Sequence, residues 1–306
     1  MTAEKALRDG DLTTALAELE REVRREPGQV KHRIFLFQLL CVLGQWERAM
    51  TQLKVAKEMA ADAGVMASTY EQLIPCEAFR AEVFAGRRAP LLLGEPDPWM
   101  ALVWEAQRLT AQGHHAKAQD LRNQAYEQVT PRSGALVRRP APANTAAGEV
   151  PAKSDDDQPG ERFEWIADAD SRLGPILEAV VNGRYYWLPW DRIARIDFEP
   201  VADLRDLVWL PVHFEWTNAG EVVGFIPARY AGTEAAGDPL LKLSRKTDWV
   251  PQGDDVYFGL GQRMFVTDQD EVPLLSIQSL RFDPPSVANT DEAGADDAAE
   301  AGNSGA

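Results

Sequence analysis

Asp168 and Asp170 stand two residues apart in the run Phe163-Glu164-Trp165-Ile166-Ala167-Asp168-Ala169-Asp170-Ser171-Arg172-Leu173-Gly174-Pro175. Carboxylates at that spacing can do three things. They can ligate a hard cation such as Mg²⁺ or Ca²⁺, although the run lacks the further acids of a calcium loop. They can form an acid/base pair with Glu178, although no histidine or nucleophile stands nearby to complete a hydrolytic site. Or their side-chain oxygens can accept from backbone N–H groups and fix the loop, with Arg172 as ion partner. The third role fits best, so no metal, cofactor or catalytic residue is expected.

The remaining reactive residues form no recognisable site. His114-His115 has no acidic or cysteine partner at ligand spacing, and His32 and His213 are isolated. Cys41 and Cys76 are the only cysteines and suit a reducing compartment. Gly259-Leu260-Gly261 reads as a turn, and no Walker loop or nucleophile elbow is present. Arg87-Arg88 and Arg138-Arg139 are too small for a nucleic-acid footprint, and a net charge of −16 opposes one. Most of that charge reads as a solvated surface, and it is also compatible with a basic partner.

The elements that carry these residues begin with a repeat. Gly10-Asp11-Leu12, Ala15-Leu16 and Leu19 recur as Gly44-Gln45-Trp46, Ala49-Met50 and Leu53, an offset of 34. That is the period of the tetratricopeptide repeat, a helix–turn–helix unit that stacks on its neighbours. Glycine suits the tight turn, and alanine five residues on lets two helices approach. Gly113 and Ala118 form a looser third echo, with a degenerate unit around Ala78 to Gly86. The fold class expected is multidomain: a TPR-like α-α superhelix over 1–129, then a small aromatic-rich α+β domain over 163–284 with a mostly antiparallel sheet.

Between the two, 130–162 holds Pro131, Pro140, Pro142, Pro151 and Pro159 and reads as a flexible linker. After Pro285 come Asp291, Glu292, Asp296, Asp297 and Glu300 with no base, which reads as a disordered acidic tail over 285–306. Within 163–284 lie Trp165, Trp187, Trp190, Trp209, Trp216 and Trp249. Strand-like runs are Tyr185–Leu188, Leu207–Trp216, Val222–Pro227, Met264–Thr267 and Val272–Ile277. Gly174-Pro175 and Asn182-Gly183 read as the start and stop of a helix, with Ile176/Val180 and Leu177/Val181 as its apolar stripe. A second short helix is expected over Arg192 to Ile196. No apolar run reaches the ~18–20 residues that span a bilayer. The start, Met1-Thr2-Ala3-Glu4, lacks the basic and apolar regions of a secretory signal, so a cytoplasmic location is expected.

The stretches FEWIADADSRLGPILEAVVNGRYYWLPW (163–190), DLRDLVWLPVHFEW (203–216) and IPARYAGTE (226–234) closely resemble the ImpE family, also called SciE or TagJ. RIFLFQLLCVLGQWERAMTQL (33–53) is similar to that family too, so both halves are covered. The linker is longer and richer in proline than the family pattern. The resemblance implies a cytoplasmic, non-enzymatic accessory protein of bacterial type VI secretion. It implies binding to a helix near the N-terminus of the small contractile-sheath subunit, and thereby a link to the AAA+ ATPase that dismantles contracted sheaths. Trp165, Asp168, Asp170, Arg172, Gly174 and Pro175 fall in the family motif, where a structural role is expected.

Repeat solenoids hold partner helices on a concave face. From Ile34 to Leu43 the chain is apolar on every helical face, as a helix buried all round would be. Alternatively it offers Phe37 and Leu40, with Arg33 one turn earlier, to a partner helix. A carboxylate clamp would use Lys31 and Arg33. An apolar groove of this kind is also compatible with a homodimer. The competing function is a metal-binding or hydrolytic module centred on Asp168 and Asp170.

Overall fold

Gly10, Gly44 and Gly113 all adopt left-handed backbone, with φ of 80°, 68° and 81°. Each follows a helix and closes it in the same way. The Gly10 N–H donates to Leu7 O and the Asp11 N–H to Ala6 O, at 3.1 and 2.8 Å. Gly44 and Gln45 repeat the pattern on Cys41 and Leu40, and Gly113 and His114 on Thr110 and Leu109. This is the Schellman closure, which glycine permits without strain. Asp11 then caps the next helix, its Oδ1 accepting from Thr14 N at 2.9 Å. Ala15, Ala49 and Ala118, the small residues of the repeat, are all fully buried.

A computed structural model of the chain describes residues 2–140, 160–253 and 256–284. Its helices are α1 (Ala3–Arg8), α2 (Leu12–Arg25), α3 (Val30–Val42), α4 (Trp46–Met59), α5 (Gly64–Phe84), α6 (Pro98–Ala111) and α7 (His115–Tyr126), with strand β1 (Leu91–Leu92) between α5 and α6. The repeats map onto the hairpins α1–α2, α3–α4 and α6–α7. The degenerate unit is the long helix α5, which ends on the same closure at Gly86. Among the described residues no helix is long and apolar enough to cross a membrane.

The rest is strand-rich. It comprises β2 (Gly134–Arg138), β3 (Glu161–Phe163), β4 (Ile166–Asp168), β5 (Ile176–Val181), β6 (Arg184–Pro189), β7 (Ile193–Phe198), β8 (Trp209–Trp216) and β9 (Glu221–Pro227). A one-turn helix α8 (Pro239–Lys242) precedes β10 (Thr247–Pro251), β11 (Tyr257–Gly261), β12 (Met264–Thr267), β13 (Glu271–Pro273) and β14 (Ile277–Phe282). A nine-stranded sheet runs β1-β6-β5-β9-β8-β7-β14-β2-β3, with smaller sheets β10-β11 and β13-β12-β4. Every pairing is antiparallel except β1 on β6. The expected order, helices and then an α+β part with a mostly antiparallel sheet, is the one observed, although the sheet is large.

Four local expectations are corrected. The run after Gly174-Pro175 is strand β5 and not a helix. All six of its residues are buried, and they divide by parity. Ile176 and Val180 face the core shared with the helices, whereas Leu177, Ala179 and Val181 face a second core. A strand buried on both faces reads as a continuous apolar run, and its i,i+4 pairs imitate a helix. Asn182-Gly183, with φ of 49° and 70°, is the two-residue hairpin turn joining β5 to β6. Arg192 to Ile196 contributes the end of a 3₁₀ turn and then β7, where Ile193 and Ile196 are buried. Gly259-Leu260-Gly261 is not a turn but part of β11, paired with β10. Lastly, 134–138 within the expected linker is β2, hydrogen-bonded between β14 and β3. Leu136 anchors it in the second core. The remainder of that segment, 141–159, and the tail from 285 lie outside the described residues.

The helices and the sheet share one core. Trp187 packs on Phe84 and Trp104, and Tyr185 on Phe79. Trp209 packs on Trp46 and Tyr70, each at 5.7–5.8 Å between ring centroids. The second core fills the other face of the large sheet, against Ile166, Phe265 and Val272 of the small one.

Candidate functional site

Asp168, Asp170 and Glu178 are all brought together, and all are buried. Glu178 sits midway along β5 on the side facing the helices. From α5, Arg80 reaches it with Nε to Oε1 at 2.6 Å and Nη2 to Oε2 at 2.9 Å. Tyr185 donates its hydroxyl to Oε1, and Trp187 Nε1 donates to that hydroxyl at 2.8 Å. Arg263, between β11 and β12, bridges Glu178 Oε2 and Asp168 Oδ2 through its two terminal nitrogens. Its Nε donates to Pro227 O at 2.9 Å. A bidentate guanidinium–carboxylate pair fixes direction as well as distance.

Asp170 and Arg172 extend this cluster. Asp170 Oδ1 accepts from Arg172 N at 2.8 Å and Nε at 2.9 Å, and Oδ2 accepts from Gly259 N at 2.8 Å. Asp168 Oδ1 accepts from Asp170 N at 2.9 Å. Arg172 lies over the rings of Phe84 and Phe258, 4.9 and 4.6 Å from their centroids. On the helical side Glu77 stands 3.5 Å from Arg80 and accepts from Trp209 Nε1 at 2.7 Å. Arg229 donates to Val42 O at the end of α3 and to Lys242 O, at 2.7 and 2.8 Å. Four carboxylates thus meet four guanidiniums, joining α3, α5, β5, the 168–172 loop and the β11–β12 connection.

Burial pushes the Glu178, Asp168 and Glu77 carboxyls up, and the guanidiniums oppose it. For Glu178, Arg80 and Arg263 outweigh burial and hold the group at about 2. For Asp168 burial prevails, with Asp170 adding repulsion against Arg263, and the group is pushed up to about 7. The two share one guanidinium, and Glu178 has the stronger claim because Arg80 also serves it. Glu77 is likewise raised by burial.

The motif residues around these carboxylates have structural reasons. Gly174 has φ of 53°, and a β-carbon there would stand 2.5 Å from the Tyr126 ring of α7. Its carbonyl accepts from Asp168 N at 2.7 Å. Trp165 is partly exposed, beside the β12–β13 turn, where Glu164 N donates to Asp268 Oδ1 at 2.7 Å. Pro175 lines a cavity between α6 and the start of β5. The oxygens of Asp168 and Asp170 serve guanidiniums and backbone N–H groups, the loop-fixing role. Among the described residues no group of three or more His, Cys, Asp or Glu could hold a metal ion.

The residues assigned to a partner helix separate. Phe37 and Leu40 are both 0% exposed, inside the core. Their expected role at a docking face is corrected: Phe37 meets Tyr70 edge-on at 5.7 Å, sandwiched within the chain. Arg33 is half-buried and donates to Gln52 Oε1 at 3.1 Å and Pro27 O at 3.4 Å. Sequence reasoning missed Arg80, Arg229 and Arg263. The available signal was a lone charge inside an apolar run, as with Glu178 in Ile176–Val181, which requires a buried partner.

The network's framework is shared with known proteins. Residues 160–281 match the ImpE protein family. The chain is 45% identical over 284 residues to a Pseudomonas aeruginosa protein, strain PAO1, named type VI secretion system accessory component TagJ. That alignment covers 93% of this chain and 92% of the relative. The chain belongs to the ImpE family. A crystal structure of protein VPA1032 from Vibrio parahaemolyticus has the same fold, with a TM-score of 0.77 at 24% identity. It covers 92% of this chain and 97% of that one. The ImpE match begins at β3, yet Glu178 and Trp187 of that segment find their partners on α5 and α6, outside it.

Proposed function

We propose that this ImpE protein is a non-enzymatic accessory protein of type VI secretion; its P. aeruginosa relative is named an accessory component of that system. In this reading it is a cytoplasmic adaptor. It holds the N-terminal helix of the small contractile-sheath subunit and links it to the AAA+ ATPase that dismantles sheaths. The observation that favours a binding role over a catalytic one is the engagement of Asp168 by Arg263, Asp170 by Arg172 and Glu178 by Arg80. These carboxylates brace a scaffold. With Phe37 and Leu40 in the interior, the docking surface uses accessible positions on the helical hairpins, and Arg33 is the one that remains from the sequence reading. The net charge of −16 favours a basic partner face.

Calorimetric titration with a peptide of the sheath subunit's N-terminal helix tests this. Saturable binding in the micromolar range, with a negative heat-capacity change and weakened by Arg33→Ala, is expected. No heat at several temperatures, with folded protein and soluble peptide, would overturn recognition of that helix.

A further inference from the structure

The face of α7 that looks toward the sheet is polar. His115, Gln119, Arg122 and Tyr126 recur at helical spacing, so they share one side of the helix. His115 meets the Phe258 ring of β11 at 6.2 Å between centroids, and the Tyr126 hydroxyl donates to Ser171 O at 3.3 Å. Four side-chain atoms of α7, His115 Nδ1, Gln119 Oε1, Arg122 Nε and Arg122 Nη1, are buried with no hydrogen-bond partner, and so is Gln107 Oε1 of α6. Such atoms are rare in a native interior, and each costs its lost hydration. Arg122 is 1% exposed, and its guanidinium donates to the Thr110 hydroxyl. Asp170 attracts it from farther off, but that carboxylate is already held by Arg172, whose own charge repels Arg122. Burial, the largest influence, pushes the Arg122 guanidinium below its ordinary value.

Little apolar contact offsets that cost. The buried residues of α7 are Ala118, Arg122 and Ala125. Of its large side chains Tyr126 packs on the shared core, partly buried. The neighbouring helices are held far better. α6 buries Trp99, Met100 and Val103 and sets Trp104 against Trp187, and α5 carries the Arg80 lock. Gly113, in left-handed backbone, separates α6 from α7. After α7 the chain is exposed at Glu127, Gln128 and Thr130 before Arg132 ties it to the carbonyls of Asp191 and Asp283. We infer that α7 is a detachable strap, opening as one unit about Gly113 and 127–130 while α6 and the sheet stay folded. Opening returns the Arg122 guanidinium and its orphaned neighbours to water. It also bares the 168–174 loop beside Tyr126 and the Phe258 ring beside His115. A local opening of this kind lies well below global unfolding in free energy. The inference is independent of the partner proposed above, since it concerns the chain alone.

Hydrogen–deuterium exchange of the full chain at neutral pH, resolved by peptide mass spectrometry, tests this. Amides of 119–125 should be at least ~100-fold less protected than those of 36–42 in α3 and 77–83 in α5, which open with the whole fold. Arg122→Met keeps most of the side chain's length and removes its charge and its orphaned donors. Replacing a buried ion by an apolar side chain of similar size is often neutral or stabilising. The variant should therefore slow exchange across 119–125 at least ~10-fold and leave α3 and α5 unchanged. The inference is overturned if 119–125 is protected as strongly as 77–83, or if Arg122→Met leaves exchange there unchanged or speeds it. Faster exchange in the variant would mean that ordered water satisfies the guanidinium and that Arg122 holds the helix in place. The comparison of α7 with α3 and α5 in the unsubstituted chain decides the matter even if the variant fails to fold.

Discussion

Replacing Glu178 by glutamine keeps the side chain's size and removes its charge, and two buried guanidiniums feel the loss. As acidic partners Arg80 would keep only Glu77 at 3.5 Å, and Arg263 only Asp168. The folded chain holds Glu178 at about 2 against an ordinary value of 4.5. At 1.36 kcal/mol per unit, that difference is worth roughly 3 kcal/mol at neutral pH. Breaking a buried pair from one side costs about 3–5 kcal/mol by comparison with other proteins, which agrees. Because the folded value is depressed, this contribution is complete above the unfolded carboxylate range and is lost as pH falls toward 2. Equilibrium urea unfolding of Glu178→Gln at pH 7, followed by helix signal and tryptophan fluorescence, should show a loss of about 3 kcal/mol in both probes together. At pH 3 the gap to the parent should narrow. Asp168 has the opposite sign. Its folded value is raised to about 7 from 3.8, so its ionisation opposes folding as pH climbs through that interval. Asp168→Asn should therefore cost less than half as much as Glu178→Gln at pH 7. A loss under about 1 kcal/mol for Glu178→Gln, or the reverse ranking, would refute the assignment of Glu178 as the centre of the lock.

Three further outcomes are expected. Phe37→Asp buries an unpaired charge and should cost more than about 4 kcal/mol, seen as loss of helix signal in a thermal melt rather than a clean loss of binding. Gly174→Ala meets both a left-handed backbone and the Tyr126 ring, and should cost at least ~2 kcal/mol in denaturant titration. Trimming Tyr126 to alanine as well should restore nothing beyond the steric part. Millimolar Mg²⁺, Ca²⁺ or Mn²⁺ should leave the melting temperature unchanged, because guanidiniums already hold Asp168 and Asp170. A rise abolished by Asp168→Ala with Asp170→Ala would revive the metal-binding reading.

The helical half was the more legible in the sequence because its signals are local. A glycine in left-handed conformation and an alanine at a helix crossing leave a residue type at a fixed offset, and Gly10, Gly44 and Gly113 all kept theirs. Strand β5 was misread for a physical reason. With both faces buried it has no polar alternation, so Ile176 and Val180 look like one face of a helix as easily as one face of a strand. Asn182-Gly183 held the deciding information, since that pair prefers a hairpin turn. The loop-fixing role of Asp168 and Asp170 was readable from their spacing, because it depends on backbone N–H groups close by in the chain. Arg263 as the partner of Asp168 was not, and neither was Arg80 for Glu178, 98 positions away. Pairing across such distances is decided by packing and leaves no spacing to read.

The placing of β2 and β3 side by side in one sheet bears on how the chain tolerates being cut. Strand β2 is also stitched to β14. Arg80 from the helices is locked into carboxylates of the sheet, and Trp46 and Tyr70 lie against Trp209. Covalent continuity between β2 and β3 contributes little to holding helices and sheet together. A chain severed between 140 and 160 would behave as a two-piece complex whose fragments copurify, and fragments made separately would each expose half of a shared interior.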